Sequence, residues 1–350
     1  GLVRLVGAAR GDALAVVGLL AAALDDAGIP FHAGLRAATD GPREAADADV
    51  TIAVGVTDDR AAHVLAAGDL ETAYAVADDL GGADPVLGLA GQLAAGTQPA
   101  GQLHEDATAA GVDRRPGVAV PTADPVEGLA FTTTVHGPFS GEPASAESVA
   151  EGLDEASDAF DRQLASAVAL AVGADAPAGS RAGTAVERVL RPHVGGPYGT
   201  VGGFADVLDA TARNEPGVAL SLALGHDGSR EVAIDAWRDH AATAHAALTD
   251  DETDRYDGLL VLRGPSMPVV TVARLAVDFR SPEPAALAIT DGEAAIRSRD
   301  GSDVASALAA GTERVDGTAI GSEDEARAHF DTEDWTATAD DLAAGVREAL

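Results

Sequence analysis

The chain has 350 residues, a formal net charge of -34, no cysteine and no lysine, so all 23 basic residues are arginine. Those absences exclude disulfides, thiolate nucleophiles, zinc-thiolate and iron–sulfur sites, Schiff-base chemistry and the lysine of a phosphate-binding P-loop. An apolar content of 46% with only 3% aromatics allows a packed core of small side chains and argues against disorder.

Concentrated salt screens the self-repulsion of such a charge, so the composition predicts a halophilic protein. Net charge then says little about partners, because a local arginine patch still reaches nucleic acid. The N-terminal apolar run "LAVVGLLAAAL" is too short to span a bilayer. With no signal peptide read from the sequence, the expected location is cytoplasmic and no membrane partner is expected.

In chain order, "RLVGAA" reads as a buried strand and "DALAVVGLLAAALDDAG" as a helix capped by Asp12. "PFHAGL" and "VTIAVGV" read as strands, and "LETAYAVADDLGG" and "DPVLGLAGQLAAG" as helices. This alternation predicts a parallel sheet flanked by helices. A Pro-, Gly- and Thr-rich stretch follows, and then one long helix over 145–172. "GGPYGTVGG" is a glycine-rich loop before two helices, and 230–248 is a connecting helix. The C-terminal part reads as a smaller α/β unit. Its strands are "GLLVLRG", "PEPAALAIT", "GEAAIRSRDG" and "DGTAIGS", and its helices are "PVVTVARLAVDF", "SDVASALAAG" and "SEDEARAHF".

Few residues stand out chemically. His240 and His245, five apart on a helix, are poorly spaced to share a metal and read as exposed. His136 sits in a loop, where a ligand-facing role and a structural one are both open. "GGPYGTVGG" fits no dinucleotide fingerprint and reads as a plain loop rather than a phosphate cradle. Asp58 and Asp59 follow a strand end, and Asp12 follows another. No histidine is nearby, which is thin for a metal cage. Arg213, Arg297 and Arg299 each suit either a phosphate or an ion pair with one of the many carboxylates.

The order of parts resembles the DHH phosphoesterase superfamily, specifically archaeal RecJ-like proteins, relatives of the helicase subunit called cell-division-cycle protein forty-five. The residues that carry it are the opening strand–turn–helix with "AGIPFHAGL", then "VHGPFSGEP", "VLDATARNEPGVALSLALG" and the run from "IRSRDG" to "DGTAIGS". The resemblance implies an α/β fold with a DHH-like parallel-sheet domain over 1–225, a connecting helix over 226–255 and a DHH-associated, nucleic-acid-binding domain over 256–350. It also implies nucleic-acid contacts at His136, Arg213, Arg297, Ser298 and Arg299. The metal motifs are degenerate. "RGDA" replaces D-x-D-G, so Arg10 stands at the first acid; Gly55 stands at the second motif's aspartate, and no D-H-H triplet occurs.

That pattern predicts a RecJ-like pseudoenzyme without a metal cofactor. Its expected role is a structural subunit of the archaeal replicative helicase assembly, bound to GINS, with single-stranded DNA as a further contact. One alternative is an active single-strand-specific 5′-to-3′ exonuclease or oligonucleotide phosphodiesterase, using manganese or magnesium on Asp12 with Asp58 or Asp59. The other is a protein-interaction module unrelated to replication.

Overall fold

A computed structural model describes residues 1–36, 47–175, 179–249 and 253–350. By packing, these fall into two compact units. The first combines 1–128 with 191–239, and the second combines 129–190 with 240–350. The segments 1–225, 226–255 and 256–350 follow chain order, whereas each of these units draws on two separate stretches.

The chain opens with β1 (Val3–Ala8), α1 (Gly11–Asp26), β2 (Phe31–Arg36), β3 (Val50–Val54) and β4 (His63–Leu65). These strands form a parallel sheet in the order β2-β1-β3-β4. Almost every residue of α1 from Gly11 to Leu24 is buried, as expected of a helix apolar on all sides. It packs against α2 (Leu70–Leu80) and α3 (Pro85–Ala94). A Cβ on Gly7 would lie 2.8 Å from Val17, so Leu5 and Gly7 face α1, while Arg4, Val6 and Ala8 point to the other face. The helix α4 (Gly101–Ala109) and the two-residue strand β5 (Asp113–Arg114), neither anticipated, complete this stretch.

Next come α5 (Pro125–Phe131), α6 (Pro143–Ala150), α7 (Phe160–Ala174) and α8 (Ala182–Glu187). The expected single helix over 145–172 is therefore two helices. Gly152 takes a φ of 80°, a left-handed conformation that interrupts the run. The chain then forms β6 (His193–Val194), α9 (Val201–Asn214), α10 (Pro216–Ala223) and α11 (Arg230–Thr249). Thr200 caps α9 by accepting a hydrogen bond from the Gly203 amide at 2.9 Å, so "GGPYGTVGG" is a loop leading into a helix as read.

The remaining strands are β7 (Thr253–Tyr256), β8 (Leu259–Arg263), β9 (Ala285–Thr290), β10 (Glu293–Ser298), β11 (Gly317–Gly321) and β12 (Glu325–Phe330). They make a mixed sheet in the order β11-β12-β10-β9-β8-β7, with only β8 and β9 parallel. Helix α12 (Val269–Leu275) runs directly into a π-helical turn, Ala276–Arg280. Helices α13 (Val304–Thr312) and α14 (Trp335–Ala349) cover one face, on a core that includes Leu287, Ile296, Leu308, Phe330 and Leu342. "SEDEARAHF" is a strand, not the expected helix: Ala326, Ala328 and Phe330 are buried while Glu325, Arg327 and His329 point outward, and β12 pairs with both β10 and β11.

Candidate functional site

In an open parallel sheet of order 2-1-3-4, ligands bind where the strand order reverses, beyond the carboxyl ends of β1 and β3. That position is filled by side chains already committed to one another. Arg10, in extended conformation with a φ of -155°, is the N-cap residue of α1 and makes no side-chain cap bond. The Gly11 amide, an unpaired donor of the first turn, donates instead to Asp209 Oδ1 on α9 at 2.9 Å. Arg213 grips Asp209 one turn later, through Nε at 3.1 Å and Nη2 at 2.9 Å.

Asp12 lies within the first turn rather than at the cap. Its Oδ1 accepts from Arg10 Nε at 2.7 Å and from the Ala13 amide at 2.8 Å, and its side chain is 4% exposed. A negative charge there is favoured by the helix dipole. Two arginine–aspartate pairs thus flank the Gly11 amide, and the guanidinium charges balance the carboxylates.

Asp58 does not join them. Its carboxylate meets Arg4 Nη1 at 3.1 Å, Arg36 Nη1 at 4.0 Å and the Arg60 amide at 3.0 Å. Arg4 lies on the sheet face opposite α1, and Arg36 pairs in register with Ala8 on that same face. Burial alone would raise the Asp58 pKa; the Arg60 amide and the Arg4 and Arg36 charges reverse that, leaving it below the usual range. Asp59 is exposed. Gly55 takes a φ of 64°, and a Cβ there would come 2.8 Å from Ala67, so an aspartate in its place would be strained.

Asp12 and Asp58 are therefore on different faces, each held by arginine, and the donor set does not suit a divalent cation. Among the described residues no group of three or more His, Asp or Glu is placed to hold a metal.

The other expected contact residues are also engaged. Arg297 pairs with Glu325 and, at 3.5 Å, with Asp324. Ser298 is 1% exposed and donates to Asp300 Oδ1 at 2.7 Å. Arg299 makes a two-pronged pair with Asp278, 2.8 Å on each prong. Of the two readings open for Arg213, Arg297 and Arg299, all three make the ion pair.

His136 is 3% exposed, so the loop histidine faces the interior of its unit. Its Nδ1 lies 3.0 Å from Nδ1 of His245, whose Nε2 lies 3.0 Å from the Thr132 carbonyl. A carbonyl only accepts, so His245 carries its proton on Nε2 and accepts from His136 Nδ1–H. Burial, then His245 and Arg280, pushes the His136 pKa down to about 2; burial, with Arg274, brings His245 to about 4. His240 and His245 are not the exposed pair expected from their spacing. With Ala241, Ala244 and Leu248 they form one buried stripe of α11, and His240 Nε2 meets Thr271 Oγ1 at 2.9 Å.

The loop Gly195–Gly199 does border a cleft of about 300 Å³, lined also by Asp84, Phe204, His226 and Arg230. Arg230 is paired with Asp227 at 2.9 Å, and the Asp84 carboxylate opposes an anion there.

Sequence reasoning singles out Arg213 and misses its partner. The signal is present: Asp209 and Arg213 sit four apart on a helix, the spacing at which side chains meet. Nothing local marks Asp278, which lies in "LAVDF" and collects arginines from two distant segments.

These features agree with known folds. Over 99% of its length the chain superposes on 90% of the exonuclease RecJ bound to manganese, with a TM-score of 0.53 and 16% identity. CDC45 from Entamoeba histolytica matches with a TM-score of 0.57 and 8% identity, covering 99% of this chain and 95% of that one. RecJ from Thermus thermophilus in complex with manganese matches at 0.56 and 16% identity, where this chain spans 52% of the longer protein. The fold is that of RecJ and CDC45.

Residues 251–348 match a family model described as the C-terminal domain of the uncharacterized protein rrnAC1427. That protein, from Haloarcula marismortui, is 50% identical over 351 residues, covering 99% of this chain and 93% of its own length. The chain belongs to the rrnAC1427 family. Among the described residues no helix is long and apolar enough to cross a membrane.

Proposed function

We propose that this protein is a non-hydrolytic RecJ-like subunit of the archaeal replicative helicase assembly, bound to GINS, with single-stranded DNA as a further contact. The observation that carries the reading is the pairing of Arg10 with the buried Asp12 where the fold would hold catalytic cations. Metal-assisted phosphodiester hydrolysis needs cations that activate water and offset charge on the phosphate. A guanidinium 2.7 Å from the carboxylate supplies positive charge but no exchangeable water. The CDC45-like fold supports a scaffolding role, and the acidic composition, at a net charge of -34, supports function in concentrated salt.

The test has two arms, both in molar KCl. Incubation with end-labelled single-stranded DNA and manganese is expected to release no nucleotides. Release that disappears in Asp12→Ala would overturn the pseudoenzyme reading in favour of the exonuclease. Affinity capture from a haloarchaeal lysate is expected to recover GINS and helicase subunits. Their absence from the captured set would favour an interaction module outside replication.

A further inference from the structure

One group of acids in the first unit is not paired with arginine. Tyr74 Oη and Gln102 Nε2 donate to the Asp106 carboxylate, at 3.0 and 2.9 Å. Burial pushes the Tyr74 hydroxyl up to about 12, and the negative charges of Asp106, Asp78 and Asp84 push it the same way. Among the described residues none of these three aspartates forms an ion pair.

Asp84 is the member of that group that lines the cleft of about 300 Å³. It is the N-cap residue of α3, and its Oδ1 accepts from the amides of Val86 at 2.8 Å and Leu87 at 3.3 Å. Those bonds answer the positive end of α3 and, among the described residues, leave Oδ2 without a donor.

Another wall is the C-terminus of α10, through Leu222 and Ala223. A helix C-terminus carries partial negative charge, and the last turn of α10 has no basic side chain. Arg230 also lines the cleft, but Asp227 holds its guanidinium at 2.9 Å, so the pair adds no net charge. Leu87, Phe204 and Leu222 supply apolar surface, and each is at most 4% exposed, so core packing fixes that wall in place.

The charges thus oppose an anion and suit a cation, and the apolar wall suits a stem behind it. At about 300 Å³ the cleft lies at the small end of ligand sites, which fits one molecule of side-chain size.

We propose that this cleft binds an organic cation on an apolar stem, an alkylguanidinium or alkylammonium, with its charge at Asp84 and its stem against Leu87, Phe204 and Leu222. A free small molecule carries that chemistry, and so does an arginine or lysine side chain of a protein partner. The site goes beyond the replication reading and is independent of any DNA contact.

The experiment uses the full chain in molar KCl at about pH 8, where imidazole is uncharged. Calorimetric titrations compare n-butylguanidinium with N-butylurea, which has the same shape without the charge. The wild-type chain is expected to bind the guanidinium at least about tenfold more tightly, as for one charge-assisted hydrogen bond. Shortening its stem from butyl to methyl should weaken binding, because less apolar surface is buried. Asp84→Asn keeps an equally good helix cap and is expected to bring the two butyl probes to equal affinity. Thermal unfolding of the variant verifies folding.

An acetylated and amidated Gly-Arg-Gly peptide separates the two sources. Binding with the same dependence on Asp84 would assign the cleft to a partner's side chain. Its exclusion while butylguanidinium binds would assign a free small cation. Three results would each overturn the proposal: no binding of butylguanidinium, butylurea bound as tightly by the wild-type chain, or a preference for the cation that survives Asp84→Asn.

Discussion

The end of β1 in the first unit and the π-helical turn in the second are both built from arginine and aspartate, in different arrangements. At the first, two arginines and two aspartates, Arg10 on Asp12 and Arg213 on Asp209, gather around the Gly11 amide. At the second, two arginines share Asp278 and two more bind neutral oxygens. A matched set closes on itself and has no charge left for a ligand. The set around Asp278 is balanced from farther away, with Asp324 in electrostatic range of Arg299, Glu283 of Arg181 and Asp175 at 3.7 Å from Arg280. The same residue types thus close one site through adjacent pairs and the other through a shared carboxylate with partners gathered from several segments.

The largest test of this contrast is pH. Arg274 and Arg280 join burial in keeping His245 and His136 neutral, with pKa values near 4 and 2. Their folded values lie below the unfolded value of about 6.5, so stability is flat above that and falls as pH drops toward them. Each histidine contributes up to about 1.4 kcal/mol per pH unit, and half that at pH 6.5, so roughly 3 kcal/mol disappears between about pH 6.5 and 5. Among the described residues of the first unit, one histidine, the half-buried His193, is lowered the same way. Denaturant titrations with hydrogen exchange should show the second unit opening first in acid. First-unit amides exchanging earlier would break the contrast.

Next in size, Asp278→Ala strips two arginines of their common partner. Removing one side of a buried ion pair costs about 3 kcal/mol. A change under about 1 kcal/mol in urea unfolding at molar salt would mean Asp278 anchors nothing.

Arg10→Ala leaves the Asp12 carboxylate buried beside an unfilled gap. Arg10 is 29% exposed, so the loss is smaller, about 2 kcal/mol. Pairing it with Asp12→Ala should recover part of that loss, and a coupling energy near zero in the double-mutant cycle would show that the two residues act separately.

The smallest effect sharpens the boundary of the closed site. Asp59 is exposed, so Asp59→Ala should shift stability by no more than about 0.5 kcal/mol. A larger shift would bring it into the network that holds Asp58.

Much of the frame is legible along the chain. β1, α1, β3 and α2 follow from continuous or periodic apolar runs. "PVVTVARLAVDF" reads correctly as helix against a better neighbouring strand. "SEDEARAHF" misleads because its Glu and Ala content favours helix, while its alternation is only settled by pairing with β10 and β11. The paired histidines mislead as exposed because spacing says which residues share a face, not what covers that face.

The amino-acid sequence by itself determined what this protein cannot do with cysteine or lysine. It also laid out the strand–helix alternation of the opening stretch and, by its resemblance to the family's D-x-D-G turn, placed Arg10 at the first acid. Only the tertiary structure decided which carboxylate each arginine meets. Asp209 reaches Gly11 across 198 positions, and Arg188 reaches Asp278 across 90. The reason is the reach of the forces. Helix and strand preference acts within a few residues, whereas a charge pairs with whatever the packed core brings within about 3 Å.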